Sequence, residues 1–264
     1  MSEATEQRAK RERQRVLFDS VAELYHQTRQ AYAEEVVCWV IETAGLGPGA
    51  AVLEVGCGTG LLTAELARFP LAITAIDIGP AMIEVARRNL PNEVRLVTSP
   101  FEEFKAADAS FDLVISATAD HWIDPDVFGA RSARLLRSGG WLAIMSVFED
   151  YDEPFRSALI AAWVRRSSDN GARARTPPPS AAERIASCGL FEVAVEKAHA
   201  RRVDLSPERV MNVERTRATY LDYDPKTRES FGAELRRALS GMSAVSATIR
   251  TQGTMARVCS REAF

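Results

Sequence analysis

Residues 52–60 read Val-Leu-Glu-Val-Gly-Cys-Gly-Thr-Gly, an apolar strand running directly into three alternating glycines. Gly56, Gly58 and Gly60 remove side chains where a backbone must turn sharply and lie against a ligand. The run Ala50-Ala51-Val52-Leu53 suits a strand covered on both faces. Beyond the glycines, Leu61-Leu62-Thr63-Ala64-Glu65-Leu66-Ala67 has apolar helical spacing, so the loop opens onto a helix N-terminus. A strand, glycine loop and helix in this order form a cradle for a nucleoside-like cofactor.

What the loop lacks narrows the cofactor. A dinucleotide fingerprint places its glycines at the first, third and sixth positions, the last beside a pyrophosphate. Here the sixth position is Leu61, and Gly60 falls one place early. No Lys-Ser or Lys-Thr pair follows, which excludes a phosphate-cradling P-loop. Glu54, inside the strand end, would repel a pyrophosphate and suit a cation. The loop therefore fits a cofactor with positive charge and no phosphate, and S-adenosylmethionine, with its sulfonium and ammonium groups, meets both conditions.

The next strand agrees. Leu71-Ala72-Ile73-Thr74-Ala75-Ile76 is apolar and β-branched and ends at Asp77, where a carboxylate accepting from both ribose hydroxyls is expected. Pro80 then sits in the first turn of a helix that carries Met82. Taken singly, Asp77 reads equally as a helix cap and Met82 as core. At this distance from the glycine loop the ribose role is the stronger reading.

These segments resemble the class I S-adenosylmethionine-dependent methyltransferases, in particular the small-molecule type with a methyltransferase-11/25-like domain. The resemblance rests on Val52–Gly60, Ile76-Asp77 with Met82, Phe111-Asp112-Leu113-Val114-Ile115-Ser116 and Leu135-Leu136-Arg137-Ser138-Gly139-Gly140, and spans residues 16–150. Phe18-Asp19-x-x-Ala22-x-x-Tyr25 looks like the leading segment of such enzymes. The implied cofactor contacts are Glu54, Gly56, Cys57, Gly58, Thr59, Gly60, Asp77, Ile78, Met82, Pro100, Phe101, Glu102, Ser116, Ala117 and Tyr25. Phe18, Trp122 and Tyr151 are the implied walls of an acceptor pocket. One departure stands out: many relatives carry an acidic residue after the third strand for the adenine amino group, and this chain has Pro100 there, with Phe101 and Glu102 beside it to stack or bond in its place.

A chain of 264 residues with 46% hydrophobic content can bury a sizeable core as one elaborated domain. Its net charge of −3 gives no broad basic footprint for nucleic acid. The dense basic stretch Arg8–Arg15 is interleaved with Glu12 and reads as a solvated helix or frayed arm. No signal peptide or membrane-length apolar run is present. Cys38, Cys57, Cys188 and Cys259 are scattered, without the spacing of a disulfide framework or a metal site, so no metal is expected and a reducing cytoplasm is the natural setting.

The expected fold is α/β: a doubly wound, mostly parallel, seven-stranded Rossmann-like sheet with N-terminal helices and an inserted helical lid. Residues 1–45 form a helical cover, and 46–264 the core, with lid or substrate segments near 149–179 and 206–240. Strands are expected near 51–55, 72–77, 93–98, 111–116, 141–147, 191–195 and 245–258. Helices are expected near 60–68, 80–89, 124–136, 154–168 and 180–188, with Ser138-Gly139-Gly140 as a helix stop. The acidic run Glu149–Glu153 reads mainly as a solvated loop, and as a lure for a cationic acceptor only in second place.

In open α/β sheets ligands bind beyond the carboxyl ends of the strands. Ser116 to Asp124 lies on that edge, making His121 the candidate general base, with simple capping or packing beside Trp122 as an even alternative. Cys57 reads as a small apolar spacer. The leading expectation is methyl transfer to a small organic acceptor of the secondary-metabolic kind. RNA or protein methylation, or a non-catalytic S-adenosylmethionine-binding regulatory module, are the alternatives. Oligomeric state stays open, with exchange of a long leading helix as the route to a homo-oligomer.

Overall fold

The computed structural model describes residues 17–168 and 179–259. A 3-10 turn at Phe18–Val21 leads into α1 (Ala22–Thr28) and α2 (Glu34–Thr43). The alternating core follows: β1 (Ala51–Val55), α3 (Leu61–Leu66), β2 (Ala72–Asp77), α4 (Pro80–Asn89), β3 (Arg95–Thr98), β4 (Phe111–Ala117), α5 (Pro125–Leu135) and β5 (Leu136–Tyr151). The remainder is α6 (Phe155–Ser168), α7 (Ala181–Ser187), β6 (Val195–Leu205), α8 (Pro207–Arg215), α9 (Ala218–Leu221), α10 (Pro225–Leu239) and β7 (Val245–Arg257).

The seven strands form one sheet in the order β3-β2-β1-β4-β5-β7-β6. Strands β1 to β5 pair in parallel, and β7 runs antiparallel to both of its neighbours. The order reverses between β1 and β4, and the crevice at such a reversal is where an open α/β sheet accepts a ligand. Side-chain alternation along the strands feeds two cores. Val52, Leu113, Ile115, Ala143 and Met145 meet α2, α3 and α4 on one face. Leu53, Val55, Val114, Leu142 and Ile144 meet Phe128 and Leu135 of α5 and Ile185 of α7 on the other.

Strand β5 outruns its parallel neighbour. Pairing with β4 ends at Ala117↔Met145, whereas pairing with β7 continues to Tyr151↔Ala247. Beyond Met145, β5, β7 and β6 thus make a three-stranded antiparallel extension. Tyr151, Leu205, Val245 and Ala247 at its far end build a third core with Phe155, Leu159 and Ala162 of α6, Val210 and Met211 of α8 and Phe231 and Leu235 of α10. The late helices do lie between two strands, as the sequence suggested.

Several expectations are corrected here. The leading segment is not one long helix; α1 and α2 are separated by an extended linker at Arg29–Ala33. Ser138-Gly139-Gly140 does not end a helix but lies within β5, and Glu149–Tyr151 is strand, not loop. The sixth strand is 195–205 rather than 191–195, where Phe191 makes only an isolated bridge to Val258 and Val193 is 94% exposed. The basic stretch Arg8–Arg15 lies outside the described residues. Among the described residues, no helix is long and apolar enough to cross a membrane.

Candidate active site

At the reversal point, backbone crowding explains the glycines. Gly56 has φ +72, and a Cβ there would lie 2.4 Å from the Cβ of Ala119 in the segment after β4. Only a residue without a side chain lets the two loops approach so closely. The amides of Gly56 and Cys57 donate to the Ile76 carbonyl at 2.8 and 3.0 Å, which ties the turn to β2. Gly60 adopts φ +84 at the start of α3, and a Cβ there would meet Leu90 Cδ1 at 2.7 Å.

Two carboxylates face this turn. Asp77 Oδ2 accepts from the Gly58 amide and Oδ1 from the Gly79 amide, both at 2.8 Å. That grip fixes the end of β2 against the glycine loop. Glu54 is 1% exposed; its Oε2 accepts from Thr63 Oγ1 at 2.7 Å, while Oε1 is buried without a hydrogen-bond partner. Burial pushes the Glu54 carboxyl up to about 8, against the Thr63 hydrogen bond and with a smaller push from Asp77. A buried acceptor atom lacking a donor is costly unless a ligand supplies one. Glu54 Oε1 and Asp77 together suit a cationic, hydroxyl-bearing ligand, which is the chemistry of S-adenosylmethionine.

The N-terminal turn covers the crevice from above. Asp19 Oδ1 accepts from the Ala81 and Met82 amides at 2.7 and 3.1 Å, satisfying the free donors at the start of α4. Anchored there, Phe18 lies with its ring centroid 5.7 Å from Trp122 and 5.9 Å from Tyr25. Tyr32, in the α1–α2 linker, places its hydroxyl 3.1 Å from Thr118 Oγ1. Thr118 has φ +56, an uncommon conformation for a β-branched residue. Burial pushes the Tyr32 phenol far above its usual range.

The resulting cleft, its mouth open to solvent included, comprises about 860 Å³. It gathers Glu54, Gly56, Cys57, Gly58, Thr59, Asp77, Ile78, Met82, Phe101, Ala117, Tyr25, Phe18 and Trp122 from the sequence candidates. It also contains Tyr32, Ser99 and Thr118, which sequence reasoning missed.

Six candidates stand outside the lining. Gly60 turns beneath it toward Leu90. Pro100 caps a turn through its carbonyl, which accepts from Glu103 and Phe104; neither it nor Glu102 is part of the wall, where Ser99 stands. Ser116 is buried and donates to the Val55 carbonyl at 2.9 Å, stitching β4 to β1. His121 is 46% exposed on the outer side of Trp122, their rings 4.5 Å apart, with Nδ1 3.9 Å from Asp120. Burial lowers its imidazole pKa, against Asp120 and with help from Arg184.

Tyr151 is the clearest misplacement. It lies six residues past Met145 on β5, so at 3.3 Å per residue it is about 20 Å beyond the level of the cleft. There it packs edge-on against Phe155, 5.2 Å between centroids. Nor does any described residue of 149–168 or 206–240 line the cleft. Those helices support the cover instead: Arg29 stacks over the Tyr25 ring at 4.9 Å and donates from Nε and Nη2 to Thr216 Oγ1 and carbonyl, both at 3.0 Å. Alongside, Arg217 bridges Glu149 at 3.3 Å and Glu214 at 2.9 Å, carboxylates whose side chains are 3% and 0% exposed.

Residues 53–144 match the family model described as methyltransferase domain. An uncharacterized methyltransferase of Mycobacterium tuberculosis is 36% identical over 148 residues, 56% of this chain and 56% of that protein. A malonyl-[acyl-carrier protein] O-methyltransferase of Hahella chejuensis is 34% identical over 148 residues, 53% of this chain and 50% of the other. The chain thus spans about half the length of these curated relatives. A candidate type II methyltransferase from Anaeromyxobacter dehalogenans shares the fold with a TM-score of 0.62 at 20% identity, covering 88% of this chain and 99% of that one. Residues 53–144 form a methyltransferase domain of the class I, S-adenosylmethionine-dependent type.

Proposed function

We propose that this class I methyltransferase domain binds S-adenosylmethionine at the β1–β4 crevice and transfers its methyl group to an oxygen of a small organic acceptor. The observation that carries the reading is the pair of carboxylates at the glycine turn, one of which keeps an unpartnered buried oxygen. Asp77 would accept from the ribose hydroxyls, Glu54 would meet the positive end, and Met82 and Phe101 would enclose the adenine. The bound cofactor supplies an electrophilic methyl carbon on a good leaving group, so the protein has little covalent work to do.

Phe18, Tyr25 and Trp122 shut the methyl-donor end from water and hold the acceptor in line. Such placement is worth up to about 7–11 kcal/mol of barrier in favourable cases. A similar protein is an O-methyltransferase, which supports an oxygen nucleophile. The net charge of −3 supports a small molecule over nucleic acid. A place in secondary metabolism and a cytoplasmic setting belong to the same proposal.

Calorimetry with S-adenosylhomocysteine tests the reading. Wild-type protein should bind it, and Asp77→Asn should bind at least tenfold more weakly, the amide being a poorer partner for ribose hydroxyls and for two backbone donors. Absence of heat with S-adenosylhomocysteine, alongside tight binding of reduced nicotinamide dinucleotide, would refute it.

A further inference from the structure

The cleft is chemically lopsided. Both of its carboxylates, Glu54 and Asp77, stand at the β1–β2 side. Away from them the lining carries the hydroxyls of Tyr25, Tyr32 and Thr118 and the indole of Trp122. Among the described residues, no lysine, arginine or histidine lines it.

We infer that the acceptor's nucleophile is a carboxylate, seated by the hydroxyls of Tyr32 and Thr118. The inference rests on the methyl-transfer reading above and names the substrate class for that same site.

Three observations carry it. First, the Tyr32 and Thr118 oxygens are 3.1 Å apart, so one hydroxyl proton is shared between them and the other remains to be donated outward. A charge-assisted hydrogen bond to an anion is the strongest use of such a donor.

Second, among the described residues the cleft offers no base where the acceptor would stand. The charged and titratable groups facing Tyr32 are Tyr25, Glu54 and Arg29. Glu54 is held by Thr63 through Oε2 at the glycine turn, where its unpartnered Oε1 is left for the cofactor's cation, and Arg29 is held by Thr216. Both oxygens of Asp77 accept from backbone amides. Burial keeps the Tyr32 phenol protonated, a donor and not a base. His121 is outside the lining. An ammonium or a phenol would arrive with a proton that nothing removes, whereas a carboxylate, with an ordinary pKa near 4, is already ionised at neutral pH. Beside a sulfonium, an anion is also attracted where a cation is repelled.

Third, Thr118 holds a left-handed backbone at φ +56, a strained conformation for a β-branched residue that persists where the surrounding structure imposes it. Its amide is fixed by the Met145 carbonyl at 2.8 Å, so the strained geometry aims the hydroxyl at Tyr32.

The chemistry balances without proton transfer. One carboxylate oxygen forms a bond to the methyl carbon while the electron pair of the carbon–sulfur bond returns to sulfur, leaving a neutral ester and a neutral thioether.

The test loads the protein with S-adenosylhomocysteine and titrates benzoate, phenylacetate and octanoate against their amides and the corresponding amines. Carboxylates should bind at least tenfold tighter than their uncharged or cationic counterparts. Tyr32→Phe should weaken them by about tenfold or more, with S-adenosylhomocysteine affinity held within twofold. Thr118→Ser should stay near wild type and Thr118→Gly should fall with Tyr32→Phe. In parallel, label from methyl-tritiated donor is transferred to a small-molecule cell extract; alkali should release it as methanol. Preference for amines, alkali-stable label, or neither carboxylate binding nor alkali-labile label overturns the inference. Loss of S-adenosylhomocysteine binding itself would instead sink the methyltransferase reading.

Discussion

Replacing Glu54 with glutamine sets the stability of the fold against the needs of the site. In the unfolded chain this carboxyl titrates near 4.5; in the fold, burial pushes it up to about 8. Below the lower value both states are protonated and the residue contributes nothing to the pH dependence. Between the two values the folded state holds a proton that the unfolded state has released, so stability falls as pH rises, by about 1.4 kcal/mol per unit. Above about 8 the effect levels off. Glutamine fills the same volume, keeps a partner for Thr63 and does not titrate. The variant's advantage over wild type should therefore grow by about 2.7 kcal/mol between about pH 5.5 and 7.5. For a chain of this size that is about 5–10 °C in melting temperature.

Binding should move the other way. At pH 7 only about one Glu54 in ten is ionised, so a cation entering the site draws off close to one proton. Heats of S-adenosylmethionine binding should then differ between phosphate and Tris buffers, and Glu54→Gln should abolish the difference while weakening affinity at least tenfold. A melting-temperature gap that does not change with pH, or equal heats in both buffers, would refute the reasoning.

Gly56→Ala would press a methyl to 2.4 Å from the Ala119 side chain at φ +72, so we expect a loss of about 2 kcal/mol or more in urea unfolding and no measurable S-adenosylhomocysteine binding. Arg217→Met leaves Glu149 and Glu214 buried without their cation; it should cost about 2–4 kcal/mol at pH 8 and less at pH 5, because burial already pushes the Glu214 carboxyl up and a proton can replace the lost cation there, as denaturation at the two pH values would show. His121→Ala should change turnover less than threefold because the ring stands outside the cleft, and a tenfold loss would return it to the mechanism.

The parallel half of the sheet was legible because its signals are local. Strands β1, β2 and β4 are apolar runs buried on both faces, the first two punctuated by glycine or proline within a few residues. Strand β6 gave no such signal. Of Val195–Leu205 only Leu205 is buried, because the strand sits at the sheet edge with one face in solvent. Lys197, Arg201 and Arg202 along it suit an edge that must not recruit another strand, and the same charges disguise it as loop. The end of β5 was hidden for a related reason: Glu149 and Asp150 look like a solvated turn until Arg217, 68 residues away, is placed against Glu149.

The candidate site divides along the same line. Its cofactor side is written within one stretch of chain, since Glu54, the glycines and Asp77 all belong to a single strand–helix–strand unit. A fixed spacing there means a fixed position in space. The proposed acceptor side is assembled from segments far apart: the Phe18 turn, the Tyr32 linker and the loop after β4. The Tyr32–Thr118 contact joins residues 86 apart and depends on a linker with no periodicity. Tyr151 failed for the converse reason, because closeness in sequence to the carboxyl edge means little when a strand overshoots its neighbour. On the proposed reading, acceptor choice therefore resides in contacts that no local pattern encodes, with the Tyr32–Thr118 hydroxyl pair foremost among them.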